Sequence, residues 1–399
     1  MRARPRSSEL AAMQAGNRVH YMDNLRALAM LAGVVFHAAL AYSPLMHPVW
    51  PAADAGNARI VDAFAWFLHM FRMPLFFAVA GYFAALLVAR RGMAGLFRNR
   101  GVRVLLPLVL FAPLVLAGMG RLTERAALSA AHPSPALAWI RAYIAQHGAM
   151  PSMPGWAHLW FLFYLLLFTL MVWIASTLEL GRIGRRIAAM PAVAMLAGLP
   201  VLLAPALALT GTPWPAPEFF VPALWALAFF GVYFAFGYQL FHHEALLARL
   251  QPLSALLPIG AIAAYALLFR LTDGFAATHA STAQHMLHAL LEACAGLWMT
   301  LWCLLAAQRW LDTRNAAMRW LADGSYWVYI VHLPLLLAIQ YRLLDLPMHW
   351  AAKFAISVSA TALLSFASYQ LLVRRSVLGR LLNGRQSGRR SRAVAMHGS

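Results

Sequence analysis

The segment from Tyr21 to Tyr42 carries three ionisable side chains, Asp23, Arg26 and His37, within an otherwise apolar run. In an α-helix, the step from Arg26 to His37 makes about three full turns, so both side chains share one face, about 16 Å apart along the axis. Asp23 lies on the same face and can pair with Arg26. An ionisable group that faces hydrocarbon costs about 2.5 kcal/mol or more. The aligned set therefore predicts a polar interior or a water-filled cavity beside this helix.

A second basic motif, Arg100 with Arg103, stands at the start of the apolar run 102–120. Guanidinium groups bind phosphate through paired hydrogen bonds, and the amino terminus of a helix adds its own positive end. The pair therefore predicts a docking site for a phosphorylated donor. The alternative is that the two arginines only anchor a helix at the membrane boundary.

Five further polar residues lie in apolar segments, and they are His69, Arg72, His288, Glu292 and His332. His69 and Arg72 share a helix face, either as a polar pair satisfied by neighbouring helices or as groups that face a substrate. His288 and Glu292, four residues apart, could share a proton or form an internal structural bond. For His332 an orienting or packing role is favoured over catalysis, because buried histidines more often satisfy structural hydrogen bonds.

The composition indicates the kind of fold that must position these residues. Hydrophobic residues make up 62% of the 399 residues and charged residues 11%, whereas soluble domains have about 25% charged residues. We therefore expect an all-α, polytopic integral membrane protein. Windows of about twenty apolar residues predict ten membrane-spanning helices. They are 24–43, 62–89, 102–120, 158–178, 188–209, 222–241, 252–271, 285–307, 324–343 and 351–373.

Charge placement predicts the orientation of these helices. With a cytoplasmic amino terminus, 23 of the 32 basic residues fall in inside segments and 7 in outside segments, as the positive-inside rule requires. Both termini are therefore predicted to be cytoplasmic, in the plasma or inner membrane of the cell. The net charge of +19 is explained by topology and by contact with anionic lipids. A nucleic-acid partner is not expected because no soluble basic domain is present.

The cysteines, the spacing of possible metal ligands and the longest loop give less information about function. Cys294 and Cys303 would stand about 13 Å apart on one helix, so they cannot form a disulfide with each other. No spacing of ligands predicts a metal site. The longest outside segment, 121–157, is either part of an acceptor site or a plain connection. Spans five to seven carry almost no interior charge and are interpreted as scaffold.

Several of these motifs together resemble a known family. Tyr21-Met-Asp-Asn-Leu-Arg26 with His37 resembles the R-x(10)-H signature of the membrane acyltransferase-3 family, and Arg100-Gly-Val-Arg103 resembles its R-x-x-R motif. Three more stretches are similar to that family, FRMPLFFAVAGYF at 71–83, HLWFLFYLLLF at 158–168 and SYWVYIVHLPLLL at 325–337. The first two look closest to the branch that contains the glucan succinyltransferases.

The resemblance implies an enzyme that moves an acyl group, of the acetyl or succinyl class, from cytoplasmic acyl-coenzyme A to a carbohydrate or glycan beyond the membrane. It implies an acyltransferase domain over 21–373, between basic cytoplasmic tails at 1–20 and 374–399. Acyl-coenzyme A would be a substrate bound through Arg100 and Arg103, and no permanently bound cofactor is expected. The oligomeric state is not predicted.

A mechanism follows from the resemblance together with the residues. His37 would act as general base on a sugar hydroxyl, and Asp23 would hold Arg26 in place and balance its charge. The alternative function is a non-enzymatic, multi-pass transporter whose buried charges form a path for protons or substrate. Transporters usually show internal repeats or paired broken helices. The two halves of this sequence show no such symmetry, which favours the enzyme.

Overall fold

The computed structural model describes residues 20–152, 154–178, 186, 189–243, 245–276, 280–313 and 315–383. Within these ranges every regular element is helical, as the composition predicts. The α-helices are α1 His20–Ala39, α2 Arg59–Arg100, α3 Leu106–Ser129, α4 Pro135–His147, α5 Trp160–Thr177, α6 Ala192–Leu207, α7 Leu224–His242, α8 Ala245–Leu250, α9 Leu256–Leu271, α10 Thr282–Trp310, α11 Ala316–Leu343, α12 Trp350–Ser368 and α13 Val377–Asn383.

Seven helical segments of the described chain are long and apolar enough to cross a membrane. The number is eight when the segments Ala245–Leu253 and Leu256–Leu271, which are bent by 69° relative to each other, are counted together as one span. Each of the ten apolar windows coincides with a helix. Two of them lie in the single run Arg59–Ser129, and another lies on α6, which has only 16 residues. A multi-pass helical membrane protein is thus the class of fold, while ten crossings and cytoplasmic termini stay predictions.

Helix α2 bends back on itself before α3 begins. Its non-helical residue is Gly92, at φ 66° and ψ −178°, a conformation that glycine adopts without a Cβ clash. The guanidinium of Arg100 lies 3.5 Å from the carbonyl oxygen of Ala80. A straight helix would separate these residues by about 30 Å. The reversal, followed by a π-helical turn at Gly101–Leu105, returns the arginine motif to the wall of the membrane domain.

Small residues let α2 pack closely against two neighbours. A Cβ on Gly81 would lie 1.9 Å from the carbonyl oxygen of Phe234 on α7, and one on Gly237 would lie 1.7 Å from that of Ala78. On α10, a Cβ on Gly296 would lie 2.7 Å from the carbonyl oxygen of Met70. Such contacts let helix backbones approach in a membrane, where packing rather than water exclusion drives association. The backbones of α2, α7 and α10 therefore approach closely at these three glycines.

Helix α1 is held near both ends by side-chain hydrogen bonds to other segments. Asn24 donates to the carbonyl oxygen of Leu311 at 2.7 Å, and Gln340 of α11 donates to that of Ala38 at 3.0 Å. In a medium without water, a polar group left unpaired is costly, so these bonds fix the axial position of α1. The polar face of α1 is thereby directed towards α2 and α11.

Two connecting segments are anchored inside the protein. Lys353 of α12 pairs with Asp54 at 2.6 Å, and both side chains are buried, so the segment 43–58 is fixed over the end of α1. The segment 208–223 turns inward, and Trp214 in it is fully buried. The short helix α4 is held in a different way, because Leu137 and Ile140 pack against the end of α3.

The predicted tails fall largely outside the described residues. This holds for 1–19 and for 384–399. The described start of the carboxyl-terminal segment is not simply a basic tail, since it forms α13 and buries Leu382. Burial of this leucine against the membrane domain explains the short helix, because apolar area removed from water stabilises it.

Candidate functional site

A cavity of about 1020 Å³ runs through the region between α1, α2, the start of α5 and α11. Asp23, Arg26 and His37 of α1 all line it, which confirms the polar interior expected beside this helix. Because Arg26 and His37 stand about 16 Å apart along α1, the cavity is elongated along that helix. We call its two ends the arginine end, beside Arg26, and the loop end, beside Trp214.

Five arginines converge on the arginine end, and they are Arg26, Arg90, Arg91, Arg100 and Arg103. Two carboxylates, those of Asp23 and Asp323, share this end. The excess of positive charge suits a ligand with several negative charges, because clustered guanidinium groups bind phosphate oxygens well. The sequence identified three of these arginines. Arg90 and Arg91 belong to the 23 basic residues that charge placement assigned to inside segments, with no further role.

The contacts of α1 at this end match the sequence prediction. Arg26 lies 3.5 Å from Asp23 across one helical turn. It also donates to the carbonyl oxygen of Ala322 on α11 at 3.2 Å. Asp23 thus balances part of the Arg26 charge, and the guanidinium is held at the edge of the cavity.

The arginine motif is fixed by its neighbours in α11. Tyr326 donates its hydroxyl hydrogen to the carbonyl oxygen of Arg103 at 2.7 Å. The Nε of Arg100 is buried without a hydrogen-bond partner in the described structure. Both side chains line the cavity, so the π-helical turn between them leaves the two guanidinium groups at one mouth.

The centre of the cavity holds a pair of histidines from different helices. The Nδ1 of His37 lies 2.9 Å from the Nε2 of His332, and the rings stack with centroids 5.1 Å apart. The Nδ1 of His332 lies 2.8 Å from the carbonyl oxygen of Tyr329 and 3.1 Å from that of Val328. A carbonyl only accepts hydrogen bonds, so the neutral His332 carries its proton on Nδ1.

The position of the proton on His332 determines which ring nitrogen of His37 carries a proton. With its proton on Nδ1, neutral His332 offers a lone pair on Nε2, and the Nδ1–H of His37 donates to it. The Nε2 of His37 then bears a lone pair, and no hydrogen bond occupies it among the described residues. An imidazole whose far nitrogen is oriented by a second group has the arrangement of a general base. Sequence spacing placed His332 in an orienting role, and this geometry agrees with that interpretation.

A third histidine, His158, completes the centre and was missed as a site residue. Its ring lies 5.0 Å from that of His332, and its Nε2 contacts the carbonyl oxygen of Ile330 at 3.2 Å. Its Nδ1 is buried and has no described partner. The only signal in the sequence was the family-like HLWFL stretch, which His158 opens.

Arg72 supplies a positive charge beside the histidines. Its guanidinium stacks over the ring of Phe36 at 4.6 Å, and a Cβ on Gly33 would lie 3.0 Å from its Nη1. Gly33 is one turn from His37, so its lack of a side chain leaves room for the guanidinium there. Among the described residues no carboxylate pairs with Arg72. The charge is therefore available to a ligand.

The loop end is built on the inward segment around Trp214. His69 donates from Nε2 to the carbonyl oxygen of Trp214 at 2.9 Å, and the Trp214 N–H donates to Glu292 at 3.2 Å. No hydrogen bond or ion pair joins His288 to Glu292 in the described part of the chain. Glu292 instead accepts a hydrogen bond from the Trp214 backbone, which agrees with the structural bond that the sequence left open as an alternative to proton sharing.

Glu218, four residues further on, was missed entirely. It lines the cavity, and its carbonyl oxygen accepts a hydrogen bond from the N–H of Trp156 at 2.6 Å. Solvent in the cavity reaches its side chain, yet the surrounding protein desolvates it and raises the pKa of the carboxyl to about 7. A single glutamate in a proline-rich connection gave no spacing signal. Among the described residues of the segment 121–157, which the sequence left as either part of an acceptor site or a plain connection, none lines this cavity.

Comparison with known proteins was made on the sequence and on the fold. A family model described as an acyltransferase domain matches residues 19–370. Glucans biosynthesis protein C of Salmonella typhi and that of Salmonella typhimurium are each 27% identical to the chain over 347 residues, covering 80% of this chain and 83% of the relative. No solved structure gives a significant match.

Proposed function

The chain belongs to the acyltransferase-3 family, and we propose that it transfers an acyl group from cytoplasmic acyl-coenzyme A to a hydroxyl of a glycan on the other side of the membrane. The glycan class is supported by the relatives, which are glucans biosynthesis proteins. The hydrogen-bond chain from Tyr329 through His332 to His37 is the observation that carries the proposal. It leaves a lone pair on the Nε2 of His37, in a cavity whose other end is lined by five arginines.

The donor binds at the arginine end. A coenzyme A molecule carries phosphate groups at one end and the thioester at the other. With the phosphates on Arg26, Arg100 and Arg103, the elongated cavity leads the thioester towards His37. The wall between these points is largely apolar, with Met30, Met73, Phe76 and Phe161 among the lining side chains, which suits an acyl chain and excludes water from the thioester.

The chemical step uses His37 as base and then as acid. Its Nε2 removes the proton from the acceptor hydroxyl as the oxygen attacks the thioester carbonyl carbon. The carbon–sulfur bond then breaks, the ester forms, and the imidazolium returns the proton to the thiolate of coenzyme A. His332 accepts the hydrogen bond from Nδ1 throughout, so it holds the ring in the productive tautomer.

Arg72 stabilises the charge that develops in this step. The tetrahedral intermediate places a negative charge on the former carbonyl oxygen, and a fixed guanidinium in a desolvated site stabilises that charge strongly. Arg72 is only 7% exposed and is adjacent to Gly33, one turn from His37. Its position is thus suited to an oxyanion beside the base.

The proposal is tested with the full chain purified in lipid nanodiscs. Acetyl- or succinyl-coenzyme A is mixed with short gluco-oligosaccharides, and the products are analysed by mass spectrometry together with the free thiol released. We expect an oligosaccharide with one added acyl mass and an equal amount of free coenzyme A. A transporter would move a solute unchanged, so the absence of both products with every donor and acceptor tried would contradict the acyltransferase proposal.

A further inference from the structure

The loop end of the cavity contains polar groups that have no hydrogen-bond partner among the described residues. The indole Nε1 of Trp50 and the Nδ1 of His69 are buried without a hydrogen-bond partner in the described structure. The Glu218 carboxylate forms no hydrogen bond or ion pair with any described residue. All three residues line the same cavity. Because buried polar atoms are nearly always paired, the unpaired atoms of Trp50 and His69 indicate a site built for a ligand, and the solvent-reached carboxylate of Glu218 lines the same cavity.

The chemistry of these three groups is complementary to hydroxyl groups. Trp50 can only donate. His69 donates from Nε2 to the Trp214 carbonyl, so its Nδ1 in the neutral ring can only accept. An ionised Glu218 accepts as well. These donor and acceptor groups all line the cavity, so a molecule with several hydroxyl groups suits them, since a hydroxyl both donates and accepts.

The walls of the loop end are aromatic. Trp50, Trp66 and Trp214 line it together with Met46. Broad indole faces suit the apolar C–H faces of a sugar ring, because they supply a large contact area with little loss of conformational freedom. A phosphate or another anion would be repelled by Glu218. The combination of ring faces with a carboxylate favours a neutral carbohydrate.

The segments that carry these groups are rigidly held. Trp50 belongs to the segment fixed by the buried Lys353–Asp54 pair. The Glu218 backbone is fixed by the Trp156 N–H, and the nearby Trp214 backbone is bonded on both sides, to His69 and to Glu292. Glu292 is thus a positioning residue for the loop. A preorganised site loses little entropy on binding, so the groups are ready for a ligand.

From these observations we propose that Glu218, His69 and Trp50 form the subsite that binds the hydroxyl groups of the acceptor sugar, with Glu218 as its main specificity determinant. The inference rests on the proposed function for the identity of the acceptor. It adds the place where that acceptor is bound and the residues that recognise it. A sugar at the loop end would present one hydroxyl to the Nε2 of His37, while the donor occupies the arginine end.

The test compares Glu218→Gln and Trp50→Phe with matched controls that lie outside the cavity. Glu124→Gln removes a carboxylate from the far end of α3, and Trp139→Phe alters an exposed tryptophan of α4. Binding of short gluco-oligosaccharides to the full chain in nanodiscs is measured by calorimetry, and the acceptor and donor KM are measured where transfer occurs. We expect Glu218→Gln to raise the acceptor Kd and KM about tenfold, since a bond to a charged group typically contributes such a factor.

The donor KM should stay at the wild-type value in both cavity variants, and both controls should behave as wild type. Trp50→Phe keeps the ring and removes only the N–H, so a smaller rise of a few fold is expected in the acceptor constants, without unfolding. Unchanged acceptor binding in Glu218→Gln and in Trp50→Phe, with active wild-type enzyme, would overturn the subsite alone. Glucan binding that depends on Glu218 in a protein without transferase activity would instead contradict the proposed function and keep the subsite.

Discussion

His37 and His332 lie on different helices, yet the Nδ1 of one is 2.9 Å from the Nε2 of the other. Their positions in the sequence are 295 residues apart. Because His332 is itself bonded to the Tyr329 carbonyl, the proton positions on both rings follow from one backbone oxygen. The pair therefore links the first helix to α11 at the centre of the cavity.

Replacement of His37 tests the base directly. His37→Ala should lower kcat for acyl transfer by about 10²–10⁴, which is the usual contribution of a general base. Donor binding should be retained because the arginines lie at the other end of the cavity. The measurement is turnover per folded molecule, with His147→Ala as control, since His147 is exposed on α4. Near-normal turnover in His37→Ala would remove His37 as the base.

Two substitutions at His332 separate orientation from packing. His332→Gln keeps an acceptor oxygen for the Nδ1–H of His37, whereas His332→Phe fills the space without one. We expect His332→Phe to lose more of kcat than His332→Gln, by about tenfold or more, with little change in either KM. Activities and melting temperatures are compared for both variants. Equal activity of the two at equal stability would show that the hydrogen bond does not matter.

The arginine end is tested by the double variant Arg100→Gln with Arg103→Gln. Loss of two charge-assisted contacts should raise the donor Kd by about tenfold or more, while kcat at saturating donor changes less. Binding of acyl-coenzyme A is measured by calorimetry in nanodiscs. A double change of Arg121 and Arg125 to Gln, on the far end of α3, serves as control. Equal donor affinity in both double variants would contradict a phosphate site at Arg100 and Arg103.

Acceptor affinity should depend on pH through Glu218. Desolvation by the surrounding protein raises the pKa of this carboxyl to about 7, so the accepting, ionised form is the minority below that pH and the majority above it. The acceptor KM should therefore fall as the pH rises from about 6 to about 8. The other ionisable groups that face this part of the cavity are His37, His69, Arg72, His158 and His332. In Glu218→Gln this part of the pH dependence should vanish, and a profile identical to wild type would assign it to another group.

Membrane orientation is tested by cysteine labelling at two positions. If both termini are cytoplasmic, a cysteine at Ser387 reacts only with a membrane-permeant reagent in intact cells, and one at Ser129 also reacts with an impermeant reagent. Both native cysteines are replaced by serine beforehand. Equal labelling of the two sites by the impermeant reagent would overturn the predicted map.

The sequence alone determined the class of fold and the first half of the site. Long apolar runs can satisfy their backbone in a membrane only as helices, so composition fixes the architecture. The Arg26–His37 step lies within one helix, where the periodicity of 3.6 residues per turn decides which side chains share a face. The Asp23–Arg26 contact and the polar interior beside α1 followed from the same local rule.

Only the tertiary structure decided which distant groups meet. The reversal at Gly92 returns Arg100 to the cavity, and no local pattern specifies the direction of that turn. His158 and His332 come together through packing of separate helices. Glu218 reaches the cavity because the Trp214 backbone is bonded to His69 and Glu292. Contacts between segments far apart in the chain depend on helix packing, and sequence periodicity within a helix carries no information about its partner.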